Sequence, residues 1–339
     1  MRVLITGGAG FIGSNFVRFL LDRHPSHQVC VLDALTYAGN LENLGEAYRD
    51  EPRLRFVHGN IRNSALVEEL VADCDVVVHM AAETHVPRSI HDNVVFVETD
   101  VFGTQVLLNA VLKHPVERFV HVSTSEVYGT AVEAPMTEAH PLNPTTPYAA
   151  AKAGADRLVY AYHQTYGLPC VILRPFNTYG PHQHLEKAVP RFITGALLDS
   201  PLTIHGDGSS SRDWLFVDDL CAAVDQAVGV DLAPINGQVI NLGTGTDLSI
   251  RTIAELVVDR LGKSRSLLEF GEERPGQVRR HIAGTERAAR LLGWRARTAF
   301  SDGLERTIRW YDENRAWWAK LLWMKSVTIT GPGGQKLTY

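Results

Sequence analysis

Two residues in this sequence, Tyr148 and Lys152, have the types and the spacing for acid–base chemistry. Being four positions apart, they lie on one face of a predicted helix. A free tyrosine has a pKa of about 10, and a neighbouring ammonium favours its phenolate form. The pair could then remove the proton of a hydroxyl while a hydride leaves the same carbon. It is therefore expected to oxidise an alcohol, provided that the chain also binds a hydride acceptor.

A glycine-rich turn near the N-terminus, GGAGFIG at residues 7–13, could hold that acceptor. Gly7 permits a tight turn, Gly10 lets the backbone approach a pyrophosphate, and Gly13 allows close contact between helix and strand. The N–H groups at the start of the following helix would bind the phosphates. The residues of the turn that we assign to the cofactor are Gly7, Gly10, Phe11, Ile12 and Gly13.

An acidic residue, Asp33, follows the second predicted strand about 20 residues after this turn, where it would accept hydrogen bonds from ribose hydroxyls. Its charge would repel a 2′-phosphate, so NAD is predicted rather than NADP. Asn60 and Ile61 end the third strand and would lie beside the adenine. Ala81 and Ala82 end the fourth strand with side chains small enough for the cofactor to pass. Tyr148 and Lys152 complete the predicted cofactor contacts.

The elements that must position these residues are apolar strands alternating with helices. The strand segments are VLI, QVCVLDAL, LRFVHGNI, CDVVVHMAA, RFVHVSTSEVYG and LPCVILRPFNTYG. Strands this apolar are buried on both faces, which predicts a doubly wound, Rossmann-type parallel sheet with a smaller C-terminal mixed α/β lobe. We assign 1–180, with a returning segment near 212–245, to an NAD-binding domain, 181–211 and 246–322 to a substrate-binding lobe, and 323–339 to a tail.

The amino-acid composition argues against several classes of function. The 339 residues carry 33 Lys and Arg against 38 Asp and Glu, a net charge of −5, so the positive field of a nucleic-acid-binding protein is missing. No run approaches the roughly 20 apolar residues of a membrane span. The four scattered cysteines are expected to be small buried hydrophobes in a reducing compartment, and the chain is expected to be cytoplasmic. His79, His121 and His182 have no metal-ligand spacing, so no metal site is predicted.

The glycine turn, the Tyr148-x-x-x-Lys152 pair and the Ser/Thr-rich strand end at 123–125 resemble the extended short-chain dehydrogenase/reductase family of nucleotide-sugar-modifying enzymes. The resemblance covers roughly residues 1–320. It implies tightly held NAD, an activated nucleotide-sugar substrate, transient oxidation at C4 and a homodimer. It also places Thr124 at a catalytic position, with a hydrogen bond to the C4 oxygen. Within the family, DALTYAGNLENL, AAETHVPRSI, GDGSSSRDWLFVDDL and ERPGQVRRH resemble the dTDP-glucose 4,6-dehydratases.

One departure from those dehydratases directs the predicted reaction. Where they carry Thr-Asp-Glu, this sequence has Thr124-Ser125-Glu126. The resemblance implies that their Asp protonates the departing C6 hydroxyl and their Glu removes the C5 proton; serine is a far weaker acid. Thr-Ser-Glu followed by Val-Tyr-Gly, and RPFNTYGP at 174–181, instead resemble the UDP-glucuronate decarboxylases, also called UDP-xylose synthases.

Electrostatics agrees with that resemblance. A glucuronate carries a carboxylate at C6, which an Asp would repel and the neutral Ser125 would not. Oxidation at C4 makes a β-keto acid that loses CO₂, with Glu126 handling the proton at C5. The predicted function is an NAD-dependent UDP-glucuronate decarboxylase giving UDP-xylose or its 4-keto form. The residues predicted to be catalytic are Thr124, Ser125, Glu126, Tyr148 and Lys152.

Three alternatives stay open. The first is a dTDP-glucose or other NDP-glucose 4,6-dehydratase, which the dehydratase-like segments favour. The second is a 4-epimerase, against which the acidic Glu126 argues. The third is a non-catalytic NAD-binding protein, against which the retained Tyr148 and Lys152 argue. The segments that match the family's substrate-binding positions contribute Thr84, Arg88, Asn177, Glu186, Lys187, Arg191, Arg212 and Arg274.

Overall fold

In the computed structural model of the chain, residues 1–45, 49–273, 276–325, 328–330 and 336–338 are described. The strands are β1 (Arg2–Thr6), β2 (Gln28–Asp33), β3 (Leu54–His58), β4 (Val76–His79), β5 (Arg118–Val122), β6 (Cys170–Pro175), β7 (Asn177–Tyr179), β8 (Leu202–His205), β9 (Ser211–Phe216), β10 (Gln238–Leu242), β11 (Asp247–Ser249), β12 (Leu268–Gly271), β13 (Thr328–Thr330) and β14 (Lys336–Thr338). The α-helices are α1 (Phe11–Arg23), α2 (Ser64–Ala72), α3 (Val86–His91), α4 (Val94–Phe96), α5 (Gly103–Lys113), α6 (Pro147–Tyr166), α7 (Ala188–Leu197), α8 (Val217–Gly229), α9 (Ile250–Arg260), α10 (Glu286–Leu292), α11 (Phe300–Glu313) and α12 (Arg315–Ala319). A π-helix (Val97–Phe102) joins α4 to α5, and short 3₁₀ helices occupy Leu41–Leu44, Ser125–Tyr128, Arg265–Leu267 and Leu322–Met324.

The main sheet has seven strands in the order β10-β6-β5-β4-β1-β2-β3, and every neighbouring pair is parallel. Apolar residues from α1 and α8 pack on one face, and those from α2, α5 and α6 pack on the other. The predicted doubly wound fold is confirmed, because strands buried on both faces need helices on both sides. The carboxyl ends of β1, β4 and β5 meet at one edge of the sheet.

The segment after β7 divides between this sheet and the smaller lobe. β10 pairs with β6 and forms one edge of the main sheet. β9 pairs with β7 and β11 in a separate three-stranded sheet. The lobe has its own apolar core, in which Phe192, Trp214 and Trp318 are buried. Ligands of open α/β sheets bind outside the carboxyl ends of the strands, and the lobe stands next to that edge.

One segment departs from the sequence expectation about membrane spans. Among the described residues, the helical stretch Val94–Lys113 is long and apolar enough, by length and composition alone, to cross a membrane. Half of it is buried inside the protein, where Leu107 and Val111 pack with α2. A core helix of a soluble protein passes the same test, so this segment is weak evidence for membrane insertion.

The cysteines are thiols without disulfides. Burial raises the pKa of Cys74 and of Cys170 to about 12 and also raises the pKa of Cys221. Cys30 is half-buried, and burial raises its pKa as well. The thiols therefore stay protonated at neutral pH and pack as small apolar groups.

A buried polar network ties α6 to the sheet. Arg174 on β6 donates to both carboxylate oxygens of Asp156 on α6, at 2.8 Å each. It also donates to the Tyr128 hydroxyl at 2.9 Å, and Tyr128 donates to Asn241 Oδ1 on β10 at 2.7 Å. Arg157 reaches the same Asp156 carboxylate from the surface, with 41% of its side chain exposed.

We expect Asp156→Asn to destabilise the protein by about 3–5 kcal/mol, because it leaves the buried Arg174 guanidinium without a carboxylate partner. Arg157→Gln removes only the exposed arm of the same network and should cost less than about 1 kcal/mol. Urea unfolding followed by circular dichroism measures both free energies. Equal losses in the two variants would contradict a stabilising role for the buried pair.

Candidate active site

The glycine turn joins β1 to α1 and depends on two missing side chains. Gly7 has φ +74°, and a Cβ there would lie 2.7 Å from the Ala81 backbone at the end of β4. A Cβ on Gly13 would lie 2.1 Å from the Gly7 carbonyl oxygen. Gly10 precedes α1 without a side-chain cap, which leaves the first N–H groups of the helix for an anion. The turn therefore fits a pyrophosphate.

Asp33 at the end of β2 braces the same turn. Its carboxylate accepts from Ala9 N at 2.9 Å and from Leu35 N at 2.8 Å. Burial raises its pKa, which these two hydrogen bonds partly oppose. Asn60 and Ile61 follow β3 and line the same space. These residues lie where the sequence predicted a dinucleotide. Their charges and hydrogen-bonding groups are compatible with a ribose.

A cavity of about 440 Å³ runs from the glycine turn to the lobe. It brings most of the predicted site residues together. Those that line it are Gly7, Gly10, Phe11, Ile12, Gly13, Asp33, Asn60, Ile61, Ala81, Ala82, Thr84, Thr124, Ser125, Glu126, Tyr148, Asn177, Glu186, Lys187 and Arg212. One continuous space can thus hold a dinucleotide at the sheet edge and a second ligand against the lobe.

The Thr-Ser-Glu motif enters this cavity directly after β5, as the start of the short helix Ser125–Tyr128. Thr124 caps that helix by accepting from Glu126 N at 3.2 Å. Ser125 is only 1% exposed, whereas Glu126 is half-buried. The hydroxyl of Thr124 and the carboxylate of Glu126 therefore stand side by side on the cavity wall.

Tyr148 and Lys152 occupy the first turns of α6, as predicted. Thr146 caps the helix by accepting from Ala149 N at 3.2 Å, which fixes the helix start. Lys152 is buried below the cavity, and its Nζ donates to the Val122 carbonyl at 2.9 Å. The short strand end at Val122 thus lies against the helix that carries Tyr148.

The acidity of Tyr148 differs from the sequence expectation. Burial, followed by the charge of Asp100, raises the pKa of Tyr148 above its ordinary value, and the hydrogen bond with Thr124 opposes them. Burial likewise lowers the pKa of Lys152, against the charges of Asp100 and Asp156. The expected lowering of the tyrosine pKa by the ammonium is not observed, because withdrawal from water penalises both charged forms.

Asp100 is a neighbour of this pair that sequence reasoning missed. It is 1% exposed, its Oδ1 accepts from Glu83 N at 2.8 Å, and its Oδ2 has no hydrogen-bond partner among the described residues. Burial raises its pKa to about 7, which the charge of Lys152 opposes. The available signal was an acidic residue inside a helical stretch whose other residues are mostly apolar.

The predicted substrate-binding residues fall into two groups. Lys187 lines the cavity, and its Nζ donates to the Thr84 carbonyl at 2.7 Å. Glu186 also lines it and accepts from Tyr37 and Arg88 at 3.2 and 3.4 Å. Arg88 itself is not among the lining residues, because its guanidinium lies over the Tyr37 ring, 4.1 Å from the centroid.

A further predicted arginine, on α7, does not line the cavity. Arg191 donates to the Thr203 carbonyl at 3.3 Å inside the lobe, and burial lowers its pKa. Arg274 lies outside the described residues. Arg212 does line the cavity, next to Glu126; burial lowers its pKa and the Glu126 charge opposes that effect. Among the arginines predicted to bind substrate, it alone of those described lies on the wall.

His281 is the second residue that sequence reasoning missed as a site component. It is fully buried behind Ser125, with its Nδ1 3.3 Å from Ser125 Oγ and 3.9 Å from Glu126 Oε1. Its Nε2 lies 2.6 Å from the Gly129 carbonyl oxygen. The segment is held by β9, because His281 N donates to the Ser211 carbonyl at 3.1 Å. Its place in the segment ERPGQVRRH was visible, but its contact with Ser125 spans 156 residues.

Over the described part of the chain, no group of three or more His, Cys, Asp or Glu side chains could hold a metal ion.

Comparisons with known proteins cover nearly the whole chain. A family model described as GDP-mannose 4,6 dehydratase matches residues 4–307. The chain is 45% identical over 323 residues to a dTDP-glucose 4,6-dehydratase of Actinoplanes sp., covering 94% of this chain and 100% of the relative. It is 47% identical over 312 residues to the low-salt glycan biosynthesis protein Agl12 of Haloferax volcanii, covering 92% and 98%. The crystal structure of DesIV, a dTDP-glucose 4,6-dehydratase from Streptomyces venezuelae with NAD and TYD bound, matches with a TM-score of 0.90 at 46% identity, covering 95% of this chain and 100% of that chain.

These relatives contradict the predicted UDP-glucuronate decarboxylase, and that prediction is wrong. Proteins named dTDP-glucose 4,6-dehydratase match this chain at about 45% identity over nearly its full length. The dehydratase alternative agrees with them, whereas the UDP-sugar preference and the xylose products do not. The error came from treating Ser125 as an isolated weak acid, whereas its hydroxyl lies beside the buried His281 imidazole.

We expect Gly13→Ala to abolish stable NAD binding, since the added methyl group would collide with the Gly7 carbonyl and open the turn. Gly229→Ala is the matched control, because a Cβ there meets no atom within 4 Å. Isothermal titration with NAD, together with the melting temperature, measures both variants. Unchanged NAD affinity in a folded Gly13→Ala protein would contradict the assignment of the turn.

Proposed function

The chain belongs to the GDP-mannose 4,6-dehydratase family, and from that premise we propose that it is a dTDP-glucose 4,6-dehydratase. NAD is the cofactor, in keeping with the solved relatives that contain it. The substrate is a nucleotide sugar, and the names of the relatives support a dTDP-sugar rather than a UDP-sugar. The reaction removes water across C5 and C6 and leaves a 4-keto-6-deoxy sugar.

The observation that carries the proposal is the position of the Glu126 carboxylate. It lines the same cavity as Thr124, Tyr148 and the glycine turn. Exchange of configuration at C4 needs only the oxidation chemistry of Tyr148. Dehydration needs in addition a base for the C5 proton, which a half-buried carboxylate at this position supplies.

Each residue has a separate role in this reaction. Tyr148 takes the proton of the C4 hydroxyl, and Thr124 donates a hydrogen bond to the C4 oxygen. Lys152, bonded to the Val122 carbonyl, holds the strand end against α6, the helix that carries Tyr148. When bound, NAD supplies the acceptor and later the donor of a hydride. The resulting C4 ketone makes the C5 proton acidic enough for Glu126 to remove.

Cationic and polar groups on the lobe side of the cavity suit the rest of the substrate. We assign the diphosphate to Arg212 and Lys187, because a guanidinium and an ammonium stabilise phosphate oxygens in a partly enclosed site. Asn177, Thr84 and Glu186 present hydrogen-bonding groups to the sugar or the base. Arg88 does not line the cavity itself, but it holds the buried Glu186 carboxylate in place.

The purified protein should convert dTDP-glucose to a 4-keto-6-deoxy product, with UDP-glucose and GDP-mannose turned over more slowly. Tyr148→Phe should reduce kcat by about 100-fold or more, because the base for the C4 hydroxyl is lost. Tyr162→Phe, on the same helix, should keep its rate. Product is measured by mass spectrometry and NAD content by absorbance. A faster turnover of UDP-glucose or GDP-mannose, or an active Tyr148→Phe, would contradict the proposal.

We also propose that the chain forms a homodimer through the outer face of the helices α4–α5 and α6. Val94 and Val97 are 60% and 54% exposed, and Phe102 lies one turn further along the same helical stretch with 49% exposed. On the adjacent α6, Tyr160 and Tyr166 are exposed as well. These five exposed apolar side chains lie on helices that pack against each other, and such a cluster suits an interface related by two-fold symmetry.

Val97→Glu should shift the protein from dimer to monomer, since it buries a charge in the proposed interface. Val132→Glu is the control: this valine is 71% exposed but lies in a loop away from the helical face. Size-exclusion chromatography with light scattering gives the mass of each variant. A monomeric wild-type protein, or a dimeric Val97→Glu, would rule out this interface.

A further inference from the structure

We propose that Ser125 and His281 act as a pair that delivers the proton with which the C6 hydroxyl departs, the serine touching the substrate and the imidazole recharging the serine. The inference rests on the proposed function and names the source of a proton that dehydration requires. Hydroxide is a poor leaving group, so its departure needs a donor at O6. Glu126 cannot be that donor while it removes the C5 proton.

Ser125 is placed to be the donor. It directly precedes Glu126, lines the cavity and is shielded from bulk water, with 1% of its surface exposed. A serine hydroxyl is too weak an acid to give up its proton unless it receives another in the same step. Only a partner that can itself carry a proton makes Ser125 competent.

The geometry gives His281 that capacity. A carbonyl oxygen only accepts hydrogen bonds, so the 2.6 Å contact with Gly129 fixes a proton on Nε2. The variable proton of the ring therefore sits on Nδ1, which faces Ser125 Oγ at 3.3 Å and Glu126 Oε1 at 3.9 Å. The side chain is fully buried, and its ring packs edge-on against Phe176, with 5.9 Å between the centroids. The imidazole is thus held in one orientation with its titratable atom toward the serine.

Charged groups from each neighbouring element act on this imidazole. Burial lowers the pKa of His281, as do Arg212 on β9 and His140 in the loop before α6. The Glu126 carboxylate and the bond to the Gly129 carbonyl raise it. Because the pKa is lowered, the charged ring gives up its Nδ1 proton more readily than a free imidazolium does. The rate of dehydration should fall as the pH rises.

The elimination step balances as follows. The C5–H bond breaks and its proton goes to Glu126, while its electron pair forms the C5=C6 double bond. The C6–O6 bond breaks, and O6 takes the Ser125 hydroxyl proton and leaves as water. Ser125 Oγ takes the Nδ1 proton of His281, which becomes neutral. Glu126 returns its proton to C5 when C6 is reduced. The proton lost by His281 is matched by the C4 hydroxyl proton gained by Tyr148, and exchange with solvent restores these two groups before the next turnover.

Rapid mixing of the NAD-loaded enzyme with dTDP-glucose separates oxidation from elimination. In His281→Asn we expect NADH to form at close to the normal rate and then to accumulate, because the oxidised sugar cannot lose its hydroxyl. Formation of the 4-keto-6-deoxy product should fall by about 100-fold or more. His114→Asn, which alters a half-exposed histidine directly after α5 and outside the cavity, should show no NADH accumulation.

A change of leaving group distinguishes proton delivery from structural support. Fluoride departs without a proton, so with dTDP-6-deoxy-6-fluoroglucose the deficit of His281→Asn should shrink to less than about 10-fold. Ser125→Ala should show the same smaller deficit on the fluoro substrate. It replaces His281→Asn in this test if that variant does not fold. Ser125→Asp combined with His281→Asn should recover product formation, because a carboxylic acid at position 125 carries its own proton.

Equal deficits on the hydroxyl and fluoro substrates, or unimpaired dehydration by His281→Asn, would overturn the pair while leaving the proposed function intact. A wild-type protein that forms neither NADH nor a 4-keto-6-deoxy product from a nucleotide sugar would overturn the proposed function itself, and the pair with it.

Discussion

The hydrogen bond from Lys152 Nζ to the Val122 carbonyl sets the dimensions of the candidate site. It joins α6, which carries Tyr148, to the last residue of β5, beyond which Thr124 and Glu126 follow. The contact is buried and its donor is a charged group, so it is stronger than a bond between neutral groups at the surface. β5 is an interior strand of the parallel sheet. The positions of Tyr148, Thr124 and Glu126 are therefore set by a rigid sheet rather than by a loop.

The parts of this arrangement that local chemistry determines could be predicted from the sequence. The limits of α6 follow from a Thr146 cap, a proline in the first turn and Gly167 in the left-handed conformation after the last. The glycine turn and Asp33 follow from steric and charge requirements that a few neighbouring residues satisfy. The doubly wound sheet follows from apolar runs that alternate with helices. The sheet, the glycine turn and Asp33 were found where expected.

The remaining features depend on contacts between residues far apart in the chain. Arg88 and Arg191 are arginines in suitable segments, but a tyrosine ring and a lobe carbonyl hold them outside the cavity. His281 reaches Ser125 only after the lobe strand β9 positions its segment. The mistaken decarboxylase prediction has the same origin, because the acidity available at Ser125 is set by a partner that no local pattern displays. A single substitution was given more weight than similarity along the whole chain.

The buried cysteines have a practical meaning for the molecule's chemistry. Thiolates, rather than thiols, react with alkylating agents and peroxides, and burial raises the pKa of Cys74 and of Cys170 to about 12. Cys221 is equally enclosed, and Cys30 is partly covered within β2. The folded protein therefore offers an electrophile little to attack. A single cysteine introduced on its surface would be labelled selectively by a maleimide dye, with the native thiols left in place.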